Sequence, residues 1–235
     1  MQFSNRAQSS TAVTTALPAR PVAVPPATID AALPPLTRAA PRPLAARLFE
    51  EAWSSLGYLL LRAITDWVLF PDGPAFMKVR GRIFTHLFGW GRGVGVARGV
   101  VVQDLGSIRV GAYTRIAAGA SLAGPLEIGE HCFLGVGSIY YPGTIIGDRV
   151  AIAPRVCILT QWHEVGLPSQ RAGALQKKPT RIGSGACVNA GALVLAGCHV
   201  GEGAVVAGGA KVTRRVPPNV IVAGDPAAIV HRIES

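Results

Sequence analysis

The sequence predicts an all-β solenoid, a parallel β-helix built from a six-residue repeat. Between Ile182 and Val212 every sixth residue is aliphatic. Glycine stands three places after most of these aliphatics, and a small or β-branched residue stands four places after. A period of six fits neither the turn of an α-helix nor the alternation of a simple strand. It is typical of short strands joined by tight turns, where each flat face of a coil buries one aliphatic side chain.

The same phase runs through an earlier block of the chain, from Val110 to Ile158. Every repeat position in the two blocks is apolar: Val110, Ile116, Leu122, Ile128, Leu134, Tyr140, Ile146, Ile152, Ile158, Ile182, Val188, Val194, Val200, Val206 and Val212. An Ala/Gly/Val-rich β-sandwich is the alternative, and it predicts no such phase. Residues 89–106 are glycine-rich and precede the strict phase, so they predict an irregular first coil.

Composition agrees with a repetitive fold that has a thin interior. Aromatic residues make up only 6% of the 235 residues, while glycine occurs 28 times. The formal charge of +10 suits polyanions, acidic membrane lipids or a phosphate-rich cofactor. Nucleic acid is disfavoured, because no run of basic residues is interleaved with aromatics. The four cysteines form no C-x-x-C pair, and we expect them to pack as small residues in a reduced, cytoplasmic protein.

The chain before the repeat divides into two parts. Residues 1–43 are rich in Ala, Pro, Ser and Thr and predict a disordered arm that makes a poor secretory signal, although an organelle transit peptide remains open. Residues 44–107 predict a helical lead-in followed by the irregular first coil. Within it, residues 44–70 have apolar residues at helical spacing and predict an amphipathic helix. We expect this helix to pack on protein, with peripheral contact at the inner face of a membrane as the alternative.

A short basic helix is predicted for residues 75–88, after the Pro-Asp-Gly-Pro break at residues 71–74. Residues 108–216 then form the predicted catalytic β-helix, and residues 217–235 form a tail. The period is interrupted by residues 161–181, which are polar and basic. Because long loops on a rigid scaffold usually carry function, this interruption is the predicted location of the chemistry.

Three stretches of the sequence are more specific than the six-residue repeat alone. They are SIYYPGTIIGDRVAIAPRVCILTQWH at 138–163, KPTRIG at 178–183 and VGEGAVVAGGAKVTRRVPPNVIVAGDPA at 200–227. With them the chain resembles the left-handed β-helix acyltransferases, most closely the O-acetyltransferases of colanic-acid or exopolysaccharide assembly, over about residues 80–233. The resemblance implies a left-handed coil and a homotrimer whose sites lie between adjacent subunits.

His163 is the catalytic residue that the resemblance implies. It lies three residues past Thr160, where the period fails. A sugar hydroxyl is a weak nucleophile at neutral pH, while a thioester is already activated, so the chemistry lacks only a base. A loop histidine satisfied by water is the alternative. Glu164 or a backbone carbonyl would orient the ring, and the sequence leaves both open.

The resemblance also implies acetyl-CoA as co-substrate, bound along a groove between the last coils of adjacent subunits. The matching positions are Ala153, Ala190, Gly208, Thr213, Arg214 and Arg232. Small residues there would let backbone amides reach the pantetheine arm, and cations would contact phosphates. For each position, simple coil packing or a solvated charge is the alternative.

Some positions depart from the galactoside-type relatives. Phe133 and Tyr141 stand where those enzymes carry an asparagine and an aspartate in the acceptor pocket. Cys187 replaces a tryptophan, and Ala228 replaces a basic residue. These changes leave the acceptor open.

The predicted function is acetyl-CoA-dependent transfer of acetyl to a hydroxyl of a sugar or glycosylated intermediate. A covalent acyl-cysteine route is disfavoured, because no cysteine adjoins His163. An N-acetyltransferase of an amino sugar and a catalytically silent β-helix scaffold remain alternatives. A zinc-dependent hydratase is disfavoured, because Pro168 and Ala204 occupy the positions that its further histidine would need. No metal is expected.

Overall fold

The computed structural model describes Leu56 and residues 73–234. The arm predicted for residues 1–43 and the amphipathic helix predicted for residues 44–70 lie outside these residues, apart from the helical and exposed Leu56. The described chain is a three-sided parallel β-helix preceded by one α-helix. The predicted all-β solenoid is therefore confirmed. Within residues 73–234 no helix has both the length and the hydropathy needed to cross a bilayer.

Helix α1, Pro74–Phe88, is the predicted short basic helix. It begins with a proline and ends at Gly89, whose left-handed backbone donates its N–H to the Thr85 carbonyl at 3.1 Å. A Cβ on Gly81 would lie 1.7 Å from the Val94 carbonyl oxygen, so the helix backbone packs directly on the first coil. Phe84 stacks on Trp90 with ring centroids 4.7 Å apart. The helix thus covers the start of the solenoid.

The strands stack into three faces. Face 1 contains β1 (Gly95–Val96), β4 (Arg115–Ile116), β7 (Phe133–Leu134), β10 (Ala151–Ile152), β15 (Cys187–Val188), β18 (Val205–Val206) and β20 (Val220–Ala223). Face 2 contains β2 (Val101–Gln103), β5 (Ser121–Ala123), β8 (Ile139–Tyr140), β11 (Cys157–Ile158), β16 (Leu193–Val194) and β19 (Lys211–Val212). Face 3 contains β3 (Ile108–Val110), β6 (Leu126–Ile128), β9 (Thr144–Ile146), β14 (Thr180–Ile182) and β17 (His199–Val200). We call the turns between them corners 1–2, 2–3 and 3–1.

The inward side chains explain the period. Each coil contributes one strand to each face, and neighbouring strands pair in parallel so that Ile152 lies between Leu134 and Val188. All fifteen predicted repeat positions are buried, and none is more than 5% exposed. The outward residue of each short strand points away from this interior.

The backbone conformation of the corners explains why glycine recurs there. Gly185, Gly191, Gly197, Gly203 and Gly209 all have φ between 62° and 75°. This left-handed region suits glycine, because a Cβ there meets the backbone. Tyr113, His131 and Arg149 adopt it as well, in the earlier coils at corner 3–1. The glycine three places after each aliphatic is therefore a preference of the corner and not an absolute requirement.

The solenoid begins earlier than the strict phase suggested. Trp90, Val96, Val102 and Ile108 form a six-residue series of buried residues, two places out of phase with Val110. A 3-10 turn at Leu105–Ser107 precedes β3, where Ile108 and Val110 are both buried. The first coil was expected to be irregular, yet β1 pairs with β4 in parallel register.

The tail extends the solenoid beyond Pro217–Pro218, where the repeat was expected to end. Strand β20 adds to face 1, with Val222 paired to Val206. Strand β21, Ala228–Arg232, then folds back antiparallel on β20. Residues 217–235 thus contribute two further strands to face 1.

A core substitution tests the inward stack. Leu134 is 0% exposed, and Leu134→Ala should lower the free energy of unfolding by about 2–5 kcal/mol, because the rigid coils above and below cannot collapse into the cavity. Urea denaturation measures the change. The control is Val136→Ala, two residues away and 50% exposed, which should change stability by less than about 0.5 kcal/mol. Equal losses in the two variants would contradict the inward assignment.

Candidate active site

The interrupting segment forms a β-hairpin that projects from corner 2–3. Its strands are β12, Gln161–Val165, and β13, Ala172–Lys177, which pair antiparallel. The base closes where the Lys178 N–H donates to the Thr160 carbonyl at 2.7 Å. Two buried threonines fasten it to the solenoid. Thr160 Oγ1 donates to the Pro142 carbonyl, and Thr180 Oγ1 donates to the Leu159 carbonyl, both at 2.6 Å.

His163 lies on this hairpin with its side chain exposed. Its Nδ1 is 2.9 Å from the carbonyl oxygen of Gly173 on the opposite strand. A carbonyl oxygen only accepts, so Nδ1 carries the proton in the neutral ring. The other ring nitrogen, Nε2, then has a lone pair directed away from the hairpin backbone. The hairpin holds one tautomer of the imidazole.

Glu164 does not orient the ring. The side chain of Glu164 accepts a hydrogen bond of 2.8 Å from Gln176 Nε2. Successive strand residues point to opposite sides, so this pair lies on the other side of the hairpin from His163. Of the two orienting groups left open by the sequence, the structure therefore selects the backbone carbonyl.

Gly173 is the participant that sequence reasoning missed. A Cβ at this position would lie 2.9 Å from the Glu164 carbonyl oxygen, closer than real Cβ contacts allow, and a tight 3.2 Å from the Gly166 Cα. Glycine permits the tight strand crossing beside the bulge between His163 and Val165. The two glycines in this otherwise polar interruption were the available signal, but only the strand register links either one to His163.

Exposed apolar side chains lie on both sides of the hairpin, and Leu175 shares the side of His163. Leu175 pairs directly across from it, and Trp162 precedes it in the chain; both are 45% exposed. Val165 at the far end of β12 is 86% exposed. Such side chains on a projecting element favour contact with another surface.

Three of the predicted donor-site residues lie together at corner 1–2. Ala153, Ala190 and Gly208 follow the face 1 strands of three successive coils. A Cβ on Gly208 would be 3.4 Å from the Ala190 carbonyl oxygen, so the corner is narrow there. Among the described residues, neither the Ala190 N–H nor the Gly208 N–H has a hydrogen-bond acceptor. The corner presents two backbone donors at exposed small residues.

The other three residues lie elsewhere. Thr213 and Arg214 follow β19 at corner 2–3, two coils beyond the base of the hairpin. Arg232, on β21, pairs with Val220 at the start of β20, which follows corner 3–1. The six positions therefore occupy three corners of one prism. A single chain does not gather them around one ligand.

The cysteines are all unpaired, and three are held as thiols. Burial raises the pKa of Cys132, Cys157 and Cys198, since it disfavours the thiolate. Cys157 precedes the hairpin on β11 and points outward from face 2. These thiols are poorly suited to act as nucleophiles at neutral pH.

The remaining positions of interest are distributed over different parts of the solenoid. Phe133 is 43% exposed on face 1, whereas Tyr141 lies at corner 2–3 and donates its N–H to the Ile158 carbonyl at 3.2 Å. His131 stacks on Tyr113 at corner 3–1 with ring centroids 5.0 Å apart. Within the part of the chain that the structure describes, no three His, Cys, Asp or Glu side chains converge in a metal-ligating group.

Known proteins share both sequence and fold with this chain. No family model matches it. Nodulation protein L of Rhizobium meliloti (strain 1021) is 36% identical over 129 residues, which are 54% of this chain and 70% of that protein. The galactoside O-acetyltransferase of Escherichia coli (strain K12) is 32% identical over 88 residues, 37% of this chain and 43% of that protein.

Two solved structures have the same architecture. A variant of AntD, an N-acyltransferase from Bacillus cereus in complex with dTDP-4-amino-4,6-dideoxyglucose and coenzyme A, superposes with a TM-score of 0.60. It is 17% identical, over 66% of this chain and 90% of that chain. A maltose O-acetyltransferase from Clostridium difficile 630 has a TM-score of 0.52 and 21% identity, over 80% of this chain and 88% of that chain. The shared fold is the left-handed β-helix. Taken with the sequence match to nodulation protein L, it shows that this chain is an acyltransferase and belongs to the hexapeptide-repeat acetyltransferases.

Proposed function

We propose that the protein is an acetyl-CoA-dependent O-acetyltransferase that acts on a hydroxyl of a sugar or glycosylated intermediate. One observation carries the proposal: the Gly173 carbonyl contacts Nδ1 of the exposed His163, which leaves Nε2 as the ring nitrogen able to accept a proton. This is the arrangement that a general base requires, since the ring must be neutral, oriented and accessible.

The proposed reaction is direct transfer. As the acceptor hydroxyl attacks the thioester carbonyl carbon, Nε2 of His163 takes its proton. The C–S bond then breaks, and the imidazolium donates that proton to the departing CoA thiolate. The Gly173 carbonyl, which already accepts from Nδ1, stabilises the imidazolium while both ring nitrogens are protonated. The base would contribute about 10²–10⁴ in rate.

The donor is proposed to bind at corner 1–2. The unbonded N–H groups of Ala190 and Gly208 suit the amide carbonyls of a pantetheine arm, and the absence of large side chains leaves room for it. Arg214 and Arg232, together with Thr213, would bind the phosphates of the same donor. Because these residues lie on different corners, we propose a homotrimer in which the hairpin of one copy faces corner 1–2 of its neighbour.

The acceptor class is inferred from relatives. A galactoside O-acetyltransferase and a maltose O-acetyltransferase both act on sugars by name, and the AntD structure contains an amino sugar linked to a nucleotide. Phe133 and Tyr141 argue against galactoside-like recognition, so an acceptor of the colanic-acid or exopolysaccharide type is proposed. We place the enzyme in the cytoplasm, in keeping with its unpaired cysteines, with residues 44–70 as a further proposed contact to a membrane surface.

The base assignment predicts a selective loss in one variant. His163→Ala should lower kcat at least about 100-fold, because the acceptor hydroxyl loses its proton acceptor, while CoA affinity persists. Thiol release measures kcat, and calorimetry measures CoA binding. The matched control is Glu164→Gln. Glu164 is the next residue in the chain, but its side chain bonds Gln176 on the other side of the hairpin from His163, so this variant should keep turnover within a few-fold. Full activity in His163→Ala would end the assignment.

The ring contact predicts a tautomer. In the neutral imidazole, nitrogen chemical shifts of labelled protein should show His163 protonated at Nδ1 and unprotonated at Nε2. Gly173→Ala should mix the tautomers and lower kcat, because its Cβ would displace the strand crossing. Gly106→Ala, where a Cβ meets nothing within 4 Å, is the control. An Nε2-protonated ring in the unaltered protein would contradict the orientation.

Matched acceptors distinguish O- from N-transfer. The AntD relationship keeps N-acetylation of an amino sugar as the second candidate. An ordinary amine is a better nucleophile than a hydroxyl, so its transfer depends less on a general base. We expect higher kcat/KM for the hydroxyl sugar than for its amino analogue, and a larger loss for the hydroxyl substrate in His163→Ala. The reverse preference would support the N-acetyltransferase.

A further inference from the structure

The outward side chains of face 3 form a charged ladder. Strand pairing brings them into one column in the order Arg109, Glu127, Ile145, Arg181, His199 and Arg215. Neighbouring positions of this kind are about 4.8 Å apart along a sheet. The column runs along face 3, opposite corner 1–2 in the three-sided coil, and the hairpin that carries His163 projects from corner 2–3 at one edge of this face.

The two halves of the ladder differ in charge balance. At the N-terminal end Arg109 lies directly opposite Glu127, so opposite charges are neighbours. At the C-terminal end Arg181, His199 and Arg215 follow one another with no acid between them. Like charges directly opposite each other in a sheet are unfavourable. Arg181 and His199 are moreover only partly exposed, so water screens them incompletely.

We propose that Arg181, His199 and Arg215 bind a phosphate group. Guanidinium groups on either side of an imidazole supply N–H donors in a row, and planar guanidinium donors suit phosphate oxygens. An anion placed on this row would replace the unfavourable contacts between basic groups with charge-assisted hydrogen bonds. The site stands independently of the acyl transfer proposed above.

The electrostatics of His199 agree with an anion site. Burial first, and then the charges of Arg215 and Arg181, lower the pKa of His199, while Glu202 at the neighbouring corner opposes the shift. The ring is therefore mainly neutral near pH 7 in the unbound protein. A bound phosphate would favour the protonated ring, so the ring takes up a proton on binding.

Two sources of phosphate fit this row. One is a soluble phosphate, such as the diphosphate of a nucleotide-linked sugar. Arg181 is six positions after Leu175, which lies opposite His163, a path of at most about 22 Å. The other source is the headgroup of an anionic lipid. Both present the same oxygens to the same three side chains.

Calorimetry with inorganic pyrophosphate tests the site in the full-length protein. We expect saturable binding that weakens at least about 10-fold in the double variant Arg181→Gln, Arg215→Gln. The matched control is Arg109→Gln, on the same face but opposite Glu127, which should change the affinity less than about 2-fold. Unfolding midpoints confirm that the variants are folded. No saturable binding, or equal losses in the control, would overturn the proposal, because general attraction to a chain of +10 charge would then explain it.

A second readout isolates His199. Titrations in two buffers of different ionisation enthalpy should show net proton uptake near pH 6.5 for the unaltered protein and a smaller uptake for His199→Gln. Unchanged uptake in that variant would exclude the imidazole from the site and overturn the three-residue assignment.

Vesicles identify the source. Co-sedimentation with phosphatidylglycerol vesicles, but not with phosphatidylcholine vesicles, and its loss in the double arginine variant would assign the site to lipid headgroups. Binding of pyrophosphate without co-sedimentation would assign it to a soluble phosphate.

Discussion

The structure depends on the stacking of one inward aliphatic side chain per face in every coil. A two-residue strand has one side chain for the interior, and that side chain is buried only if the coils above and below supply theirs at the same height. The backbone hydrogen bonds run from coil to coil in the same register, as from Ala151 N–H to the Ala186 carbonyl at 3.0 Å. A slip of one residue would turn every interior side chain outward, so the six-residue period is under strict physical constraint.

That constraint decides where chemistry can be located. An insertion inside a strand would break the register, but an insertion at a corner leaves both neighbouring strands in position. The hairpin uses corner 2–3 in this way. Strand β14 resumes its pairing with β9 after the insertion, and the buried Thr160 and Thr180 hydroxyls fasten its base. The segment that interrupts the repeat is therefore a short, hydrogen-bonded hairpin on a rigid support. Such a support can hold the His163 imidazole in one position.

The outward positions are less constrained, and this is where the chain differs from face to face. Face 1 exposes Phe133, whereas face 3 carries a basic row at its C-terminal end. Corner 1–2 has small residues and unbonded backbone donors in its last coils. One repeating interior thus supports several surfaces of different chemistry, because the strand alternation separates the residues that stabilise the fold from those that are exposed.

The sequence by itself determined the interior. Fifteen regularly spaced apolar residues predicted the solenoid and its core, and the interruption after Thr160 located His163. It could not determine the partner of that histidine, because Gly173 is ten residues away and has no side chain; only the antiparallel register of the hairpin brings its carbonyl to Nδ1. Nor could it show the coil before Val110, where a 3-10 turn shifts the phase by two residues, or the strand after Pro217–Pro218. The alternation of inward and outward residues is a local property that a period reveals, whereas contacts between residues on different coils depend on strand pairing, which only the tertiary structure decides.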